Sequence, residues 1–292
     1  MSDYLVRAVS DSGSIRAFSA VTTETVNTAF KYHKTSPVVT AALGRLLTAA
    51  AIMGADLKGE SDTVTLQITG GGPAGRVLAT ADSKCNVKGY ASYPIVDLPL
   101  NAQGKLDVAG AVGTNGYLTV ITDMGLKEPY IGKVELVSGE IGDDITNYYA
   151  VSQQTPSAVG LGVLVDVDYT VKCAGGFVVQ VMPDATDEDI TTLEHNIGKL
   201  KSVTAMLEEG KTPEDILAFV MDGIPYHNTD ELPVNYYCNC SRERVERALI
   251  TLGNDEINDM IEKDGGAELT CHFCDKVYKF NESDLKGLIK VD

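Results

Sequence analysis

The chain has 292 residues, 44% of them hydrophobic, with no Trp and 7% aromatics, so its core has to be built mainly from Val, Ile, Leu and Ala. A formal net charge of −17 makes nucleic acid and anionic membrane surfaces repulsive partners, and it favours solubility even when apolar surface is exposed. Six cysteines are too few for a disulfide scaffold, and the first residues lack the basic-then-apolar pattern of a secretory leader, so a cytoplasmic location is expected.

Residues 1–181 read as a mixed core domain of the α+β class. Helices are expected over 22–32, 38–57 and 144–151. The second is the most apolar stretch of the chain, yet Arg45 and Asp56 interrupt it. Its small residues (Ala41, Gly44, Ala49, Ala50, Gly54) suit close backbone packing, so it reads as a core helix and not as a membrane span. Strands are expected over 63–69, 75–81, 117–122, 132–137, 162–167 and 177–182, and Asn115-Gly116 has the chemistry of a hairpin turn. Strand runs with few helices between them argue against a regular βαβ alternation. Gly70-Gly-Gly-Pro-Ala-Gly75 formally matches GxGxxG. The residues that follow are β-prone instead of helical, so the segment reads as a hairpin loop and no nucleotide partner is expected. Glu140, Asp143 and Asp144 read as acidic residues opening a helix, not as an acid–base pair. Cys85 and Cys173 read as small buried residues, and His33, His195 and His227 show no ligand or triad spacing.

Residues 182–232 change character, with 12 acidic residues against 3 lysines, a net charge of −9. Three amphipathic helices are expected there. Thr186 with Asp189 resembles a capping box, and Ile190, Leu193, Ile197 and Leu200 share one face. A second short helix runs from near Lys201 to Gly210. Thr212-Pro213-Glu214-Asp215 opens the third, which presents Ile216, Leu217 and Val220 and stops at Gly223. Such short, self-repelling helices are marginal alone and need a docking surface, so the segment reads as a linker.

Residues 233–292 form a third unit, small enough to need a staple. It carries Cys238-Asn-Cys240 and, after a spacer of 30 residues, Cys271-His-Phe-Cys274. Four thiolates as CxC and CxxC suit tetrahedral zinc, which favours soft sulfur, and His272 is a passenger. Expected elements are a helix over 242–252 capped by Ser241, a second helix capped by Asn254, two strands flanking the CxxC, and a last helix capped by Ser283. A thioredoxin-type CxxC would open a helix, which this context does not provide. A nucleic-acid-binding zinc ribbon is disfavoured by 8 basic against 12 acidic residues in this unit. The closeness of the thiols also makes a switch. Oxidation of one to sulfenic acid and condensation with a neighbour removes two ligands per disulfide, and the metal and its folding free energy leave together.

These cysteines, with Leu43-Gly-Arg-Leu-Leu-Thr-Ala, Gly70-Gly-Gly-Pro-Ala-Gly75, Ala111-Val-Gly-Thr-Asn-Gly116, Ser138-Gly-Glu-Ile-Gly-Asp-Asp144 and Gln154-Thr-Pro-Ser-Ala-Val-Gly-Leu-Gly162, resemble the 33 kDa chaperonin, or heat-shock protein 33, family over essentially the whole chain. The resemblance implies a non-enzymatic holdase with an α+β core domain, a metastable linker and a C-terminal redox switch. It implies one zinc per chain held by Cys238, Cys240, Cys271 and Cys274 when reduced. It further implies disulfides Cys238–Cys240 and Cys271–Cys274 on oxidation, zinc release, linker unfolding, and a homodimer that holds unfolding client proteins without ATP. Ile190, Leu193, Ile197, Ile216, Leu217 and Val220 are candidate client contacts, although packing against the core would explain them equally well.

Overall fold

A computed structural model describes residues 2–289 of the chain. It opens with a hairpin, β1 (Tyr4–Ser10) and β2 (Ile15–Val21), followed by α1 (Thr23–His33) and α2 (Pro37–Ala55). Then come β3 (Thr63–Thr69), β4 (Arg76–Asp82), β5 (Asn86–Ala91), α3 (Val108–Val112), β6 (Tyr117–Asp123), β7 (Tyr130–Glu135), α4 (Gly142–Val151), β8 (Ser157–Val165) and β9 (Val171–Val181). The acidic segment supplies α5 (Asp187–Lys199), α6 (Val203–Glu208) and α7 (Pro213–Val220), and the chain returns through β10 (Tyr226–Pro233) and β11 (Asn235–Tyr236). The C-terminal elements are α8 (Arg242–Leu252), α9 (Asn254–Asp264), β12 (Gly266–Thr270), β13 (Val277–Asn281) and α10 (Glu282–Lys286). The chain divides into two compact units, one ending at Tyr237 and one beginning at Cys238.

The first unit holds two sheets. One is antiparallel throughout, in the order β10-β1-β2-β9-β8; the other runs β11-β5-β4-β3-β6-β7, with only the β11–β5 pair parallel. Helix α2 packs against β4 and β5 of one sheet and β8 and β9 of the other. It is apolar on nearly every side, and 89% of its most apolar window is buried, so its hydropathy serves the core. Its glycines admit neighbours: a Cβ on Gly44 would lie 2.7 Å from Val26 and 2.9 Å from Val163.

Alternation along β1, β2 and β9 gives the first sheet two apolar faces. Leu5, Phe18, Ala20, Ala174 and Val178 join the cluster around α2. Val6, Ala8, Ile15, Ala17, Phe177 and Val179 point the other way, into a second cluster with Leu193, Val203, Met206, Ile216, Leu217 and Val220 of α5–α7. The acidic helices therefore cover the second face. Thr186, Ser202 and Thr212 cap them through the backbone amides of Asp189, Ala205 and Asp215. Buried Asn196 of α5 donates to the carbonyls of Val220 (3.0 Å) and Asp222 (2.8 Å), tying α5 to the end of α7. Tyr4 of β1 donates to the Glu214 carboxylate at 2.8 Å.

Several elements depart from the sequence reading. Strands β1, β2, β5, β10 and β11 were not expected, and β8 and β9 begin five and six residues earlier than predicted. Both carry glycines, which lower strand propensity but here permit close approach: a Cβ on Gly160 would strike the Phe177 ring at 2.3 Å. Asn115-Gly116 is not a hairpin turn. It leads from α3 into β6, where a Gly116 Cβ would lie 1.8 Å from the Thr69 carbonyl oxygen. The Gly70–Gly75 loop does join two paired strands, β3 and β4, as expected of a hairpin. Asp144 is fully buried and accepts from the backbone amides of Val137, Ser138, Gly139 and Ile141, and Glu140 pairs with Arg45. Both carboxylates hold structure.

Candidate metal centre

The C-terminal unit has a small core. Leu249, Ile257, Tyr278, Phe280 and Leu285 are its buried apolar residues among those described. The β12–β13 hairpin, in register from Gly266↔Asn281 to Thr270↔Val277, presents Tyr278 and Phe280 inward; α9 packs on β12 and α10 on β13. Arg242 lies over the Phe280 ring at 4.3 Å and pairs with Asp284 at 3.0 Å. Ser241 caps α8 as predicted. Helix α9 instead begins after Gly253 without a side-chain cap, and Asn281, not Ser283, caps α10.

The hairpin turn delivers the second cysteine pair. Cys271 follows β12, and the amides of Cys274 (3.4 Å) and Asp275 (2.9 Å) both point at the Cys271 carbonyl. Asp275 takes the left-handed conformation (φ 55°) that such a tight turn requires, and Lys276 closes it by accepting from the Cys271 amide. The first pair lies in the extended segment that enters α8. All four sulfurs fall within 4.8 Å of one another, with Cys238–Cys271 at 3.6 Å and Cys240–Cys274 at 3.5 Å. A tetrahedral ion with metal–sulfur bonds of about 2.3 Å needs sulfur–sulfur edges of about 3.8 Å. A disulfide would need about 2.05 Å, and the four thiols are free. Donor type, number and spacing together suit one thiophilic divalent ion, and His272 lies outside the cluster.

The electrostatics of the thiols are uneven. Burial works against ionisation of Cys240, but the Tyr278 hydroxyl, donating at 3.0 Å, and the neighbouring thiols outweigh it and bring Cys240 down to about 7. Burial raises Cys238, and burial followed by the surrounding thiols raises Cys274 further. Cys240 is thus easier to ionise than Cys238 and Cys274. The sequence reading missed Tyr278; its place four residues after Cys274, on an alternating strand beside the site, was the available signal.

A pH prediction follows from these directions. Metal needs thiolates, so the protons on the raised Cys238 and Cys274 must leave on binding. Apparent affinity should therefore rise with pH and be weakened on the acid side. Competition between the protein and a chelator for Cd²⁺ should show tighter binding at about pH 8 than at about pH 6.5. Equal affinities, after correction for the chelator, would remove the thiols from the ligand set.

Cys85 and Cys173 are buried in the first unit, as expected of small core residues. Cys173 has an unforeseen neighbour: its Sγ lies 3.6 Å from the Thr204 carbonyl of α6, beneath the acidic helices. Burial first, and Glu208 next, raise its pKa, which keeps it an unreactive thiol while it is covered. The predicted linker residues Leu193, Ile216, Leu217 and Val220 are buried, while Ile190 and Ile197 are half-buried.

Comparison with known proteins places these features in context. Residues 3–281 match the Hsp33 protein family. The chain is 52% identical over 291 residues to the 33 kDa chaperonin of Acetivibrio thermocellus, covering 100% of this chain and 98% of the relative. It is 51% identical over 290 residues to that of Clostridioides difficile, with 99% of each covered. Among solved structures, the 33 kDa chaperonin (heat shock protein 33 homolog) of Thermotoga maritima matches with a TM-score of 0.91 at 38% identity, covering 99% of this chain and 98% of the other.

Proposed function

The chain belongs to the Hsp33 family of chaperones, and from that premise we propose that it is a redox-regulated, ATP-independent holdase of the cytoplasm. In the reduced state Cys238, Cys240, Cys271 and Cys274 hold one zinc ion, and the protein is inactive. The observation that carries this reading is four sulfurs within 4.8 Å in a unit with so few buried apolar residues. A structural zinc contributes roughly 10–16 kcal/mol of apparent folding free energy in such modules, and the unit's order depends on it.

Activation begins at the thiolates. Peroxide transfers one oxygen to a thiolate, giving sulfenic acid; a neighbouring thiol displaces that oxygen as water and forms the disulfide. Each disulfide costs one peroxide and removes two ligands. The disulfides are Cys238–Cys240 and Cys271–Cys274, the pairs that each close within one short motif. Since each thiol has the other three within 4.8 Å, peptide mapping of the oxidised protein is the direct check on this pairing.

Loss of zinc unfolds residues 238–289. The chain just before them forms β11 and β10, both at sheet edges, with β10 exposed along most of its length. Disorder passes back through these strands into the linker, residues 182–232. That segment's net charge of −9 opposes its remaining compact, so it detaches from the first sheet. Two apolar surfaces open together: the helix face carrying Leu193, Ile216, Leu217 and Val220, and the sheet face carrying Val6, Ile15, Phe177 and Val179. These take unfolding clients, and the active form is a homodimer. The overall charge of −17 keeps the opened protein in solution.

One experiment tests the sequence of events. Zinc content, suppression of client aggregation and cysteine alkylation are followed together during oxidation. Zinc should leave first, and protection should then rise together with alkylation of Cys173, which α6 covers, while Cys85 in the core stays unlabelled. Full client protection by the reduced, zinc-loaded protein would overturn the proposal, as would protection without Cys173 exposure.

A further inference from the structure

The first unit contains a cleft of about 420 Å³ that the redox switch does not use. Met124 and Tyr130, 46% and 47% exposed, stand at its mouth; Tyr149 and Gln180, 9% and 2% exposed, lie deepest. Met53 and Tyr148 complete a wall of thioethers and rings. Among the described lining residues only Arg16 and Asp56 carry charge; Asp56 also pairs with Arg7 (3.3 Å), which pairs in turn with Asp230 (3.6 Å), so the four charges form a balanced network. Arg16 is committed through Nη1 to Asp56 (2.9 Å) and through Nε to Gln180 (2.7 Å). Tyr149 is different. It is nine-tenths buried, it lines the cleft, and its hydroxyl has no hydrogen-bond partner among the described residues.

We propose that this cleft binds a small uncharged aromatic molecule bearing one hydrogen-bonding group, of the phenol or indole class, with that group on the Tyr149 hydroxyl. The volume falls in the range of small-molecule sites, roughly 300–1,000 Å³. Rings and thioethers favour an aromatic body through edge contacts and sulfur–ring contacts. A charged ligand is disfavoured, because the existing charges already neutralise each other and a third would be buried unpaired. A purely apolar ligand would seal the Tyr149 hydroxyl from water without a partner. Burial, then the nearby Asp56 carboxylate, raise the Tyr149 phenol, so it stays protonated and can donate to a phenol oxygen or accept from an indole N–H.

Titration of the reduced full chain with p-cresol, indole, toluene and benzoate tests the assignment. p-Cresol and indole should bind saturably, benzoate should not, and p-cresol should bind about fivefold more tightly than toluene, the value of one net hydrogen bond. Tyr149→Phe deletes an oxygen that no protein group uses, so the variant should fold normally, retain toluene affinity and lose the preference for p-cresol. No saturable binding of p-cresol or indole would overturn the assignment. An unchanged p-cresol-to-toluene ratio in Tyr149→Phe would do so as well.

Discussion

Replacing Cys271 with Ser should leave the C-terminal unit without zinc and without structure, while the first unit stays folded. Cys271 is where the β12 strand, the tight turn and the sulfur cluster meet, and its carbonyl and amide organise the turn that carries Cys274. With three sulfurs the tetrahedron is incomplete, and most of the roughly 10–16 kcal/mol that a structural zinc would supply should be lost. A whole domain is typically stable by about 5–15 kcal/mol, so a core with five buried apolar residues among those described does not replace that loss. Zinc content should fall from about one per chain to near zero. Amide exchange over 238–289 should become fast, with exchange in α2, β3 and β4 unchanged. The variant should protect clients without oxidant. An apo Cys271→Ser protein with slow exchange across β12 and β13 would sink the account, because order would then not depend on the metal.

Leu217→Ala should activate the protein by a separate route, with zinc still bound. Leu217 is fully buried between α7 and the second face of the first sheet, alongside Ile216 and Val220. Removing three carbons from such a site costs about 2–5 kcal/mol. The docked state of short acidic helices has little reserve, since isolated helices of this length are marginal in water and this segment repels itself. The expected result is a reduced protein with normal zinc content, accessible Cys173 and substantial client protection. Glu214 offers a smaller effect at the same docking surface, because it accepts a single hydrogen bond from Tyr4. If Leu217→Ala lowers stability yet leaves Cys173 protected and the protein inactive, linker detachment is not the activating step.

The two variants differ in what they break. On the proposed mechanism Cys271→Ser should remove the staple and let disorder run back along the chain, whereas Leu217→Ala should weaken the docking surface itself. Similar activity from both, with opposite zinc contents, would locate the activating event at the first sheet instead of at the metal. Cys173 makes this measurable, because its cover is α6 and its chemistry is simple alkylation.

What was legible in the sequence was what depends on local patterning. Cysteine spacing marks a four-sulfur cluster because ligand chemistry is stoichiometric and short motifs bring their own residues together. The helices of the acidic segment were readable because caps and i, i+3, i+4 apolar spacing act within a turn or two. Thr186 and Thr212 cap α5 and α7 and Pro213 opens α7, as read, whereas the Ser202 cap of α6 is seen only in the structure. The apolar run of α2 was readable as a core helix from its small residues and internal charges.

Only the tertiary structure decided the rest. Strand β10, Tyr226–Pro233, has no apolar alternation; it is a strand because β1 offers it a pairing edge. The start of α1 is capped by Asp3, just before β1, which accepts from the amides of Glu24 and Thr25, and not by the adjacent Thr22. Asp144 accepts from four amides of the turn just before it, a local arrangement, but its complete burial is set by what packs over that turn. The partner of the acidic helices, the face of Val6, Ile15, Phe177 and Val179, is assembled from strands more than a hundred residues apart. Periodicity reports which side of an element is apolar, since that is set by backbone geometry. What that side meets is set by where distant strands pair, and no local pattern carries that information.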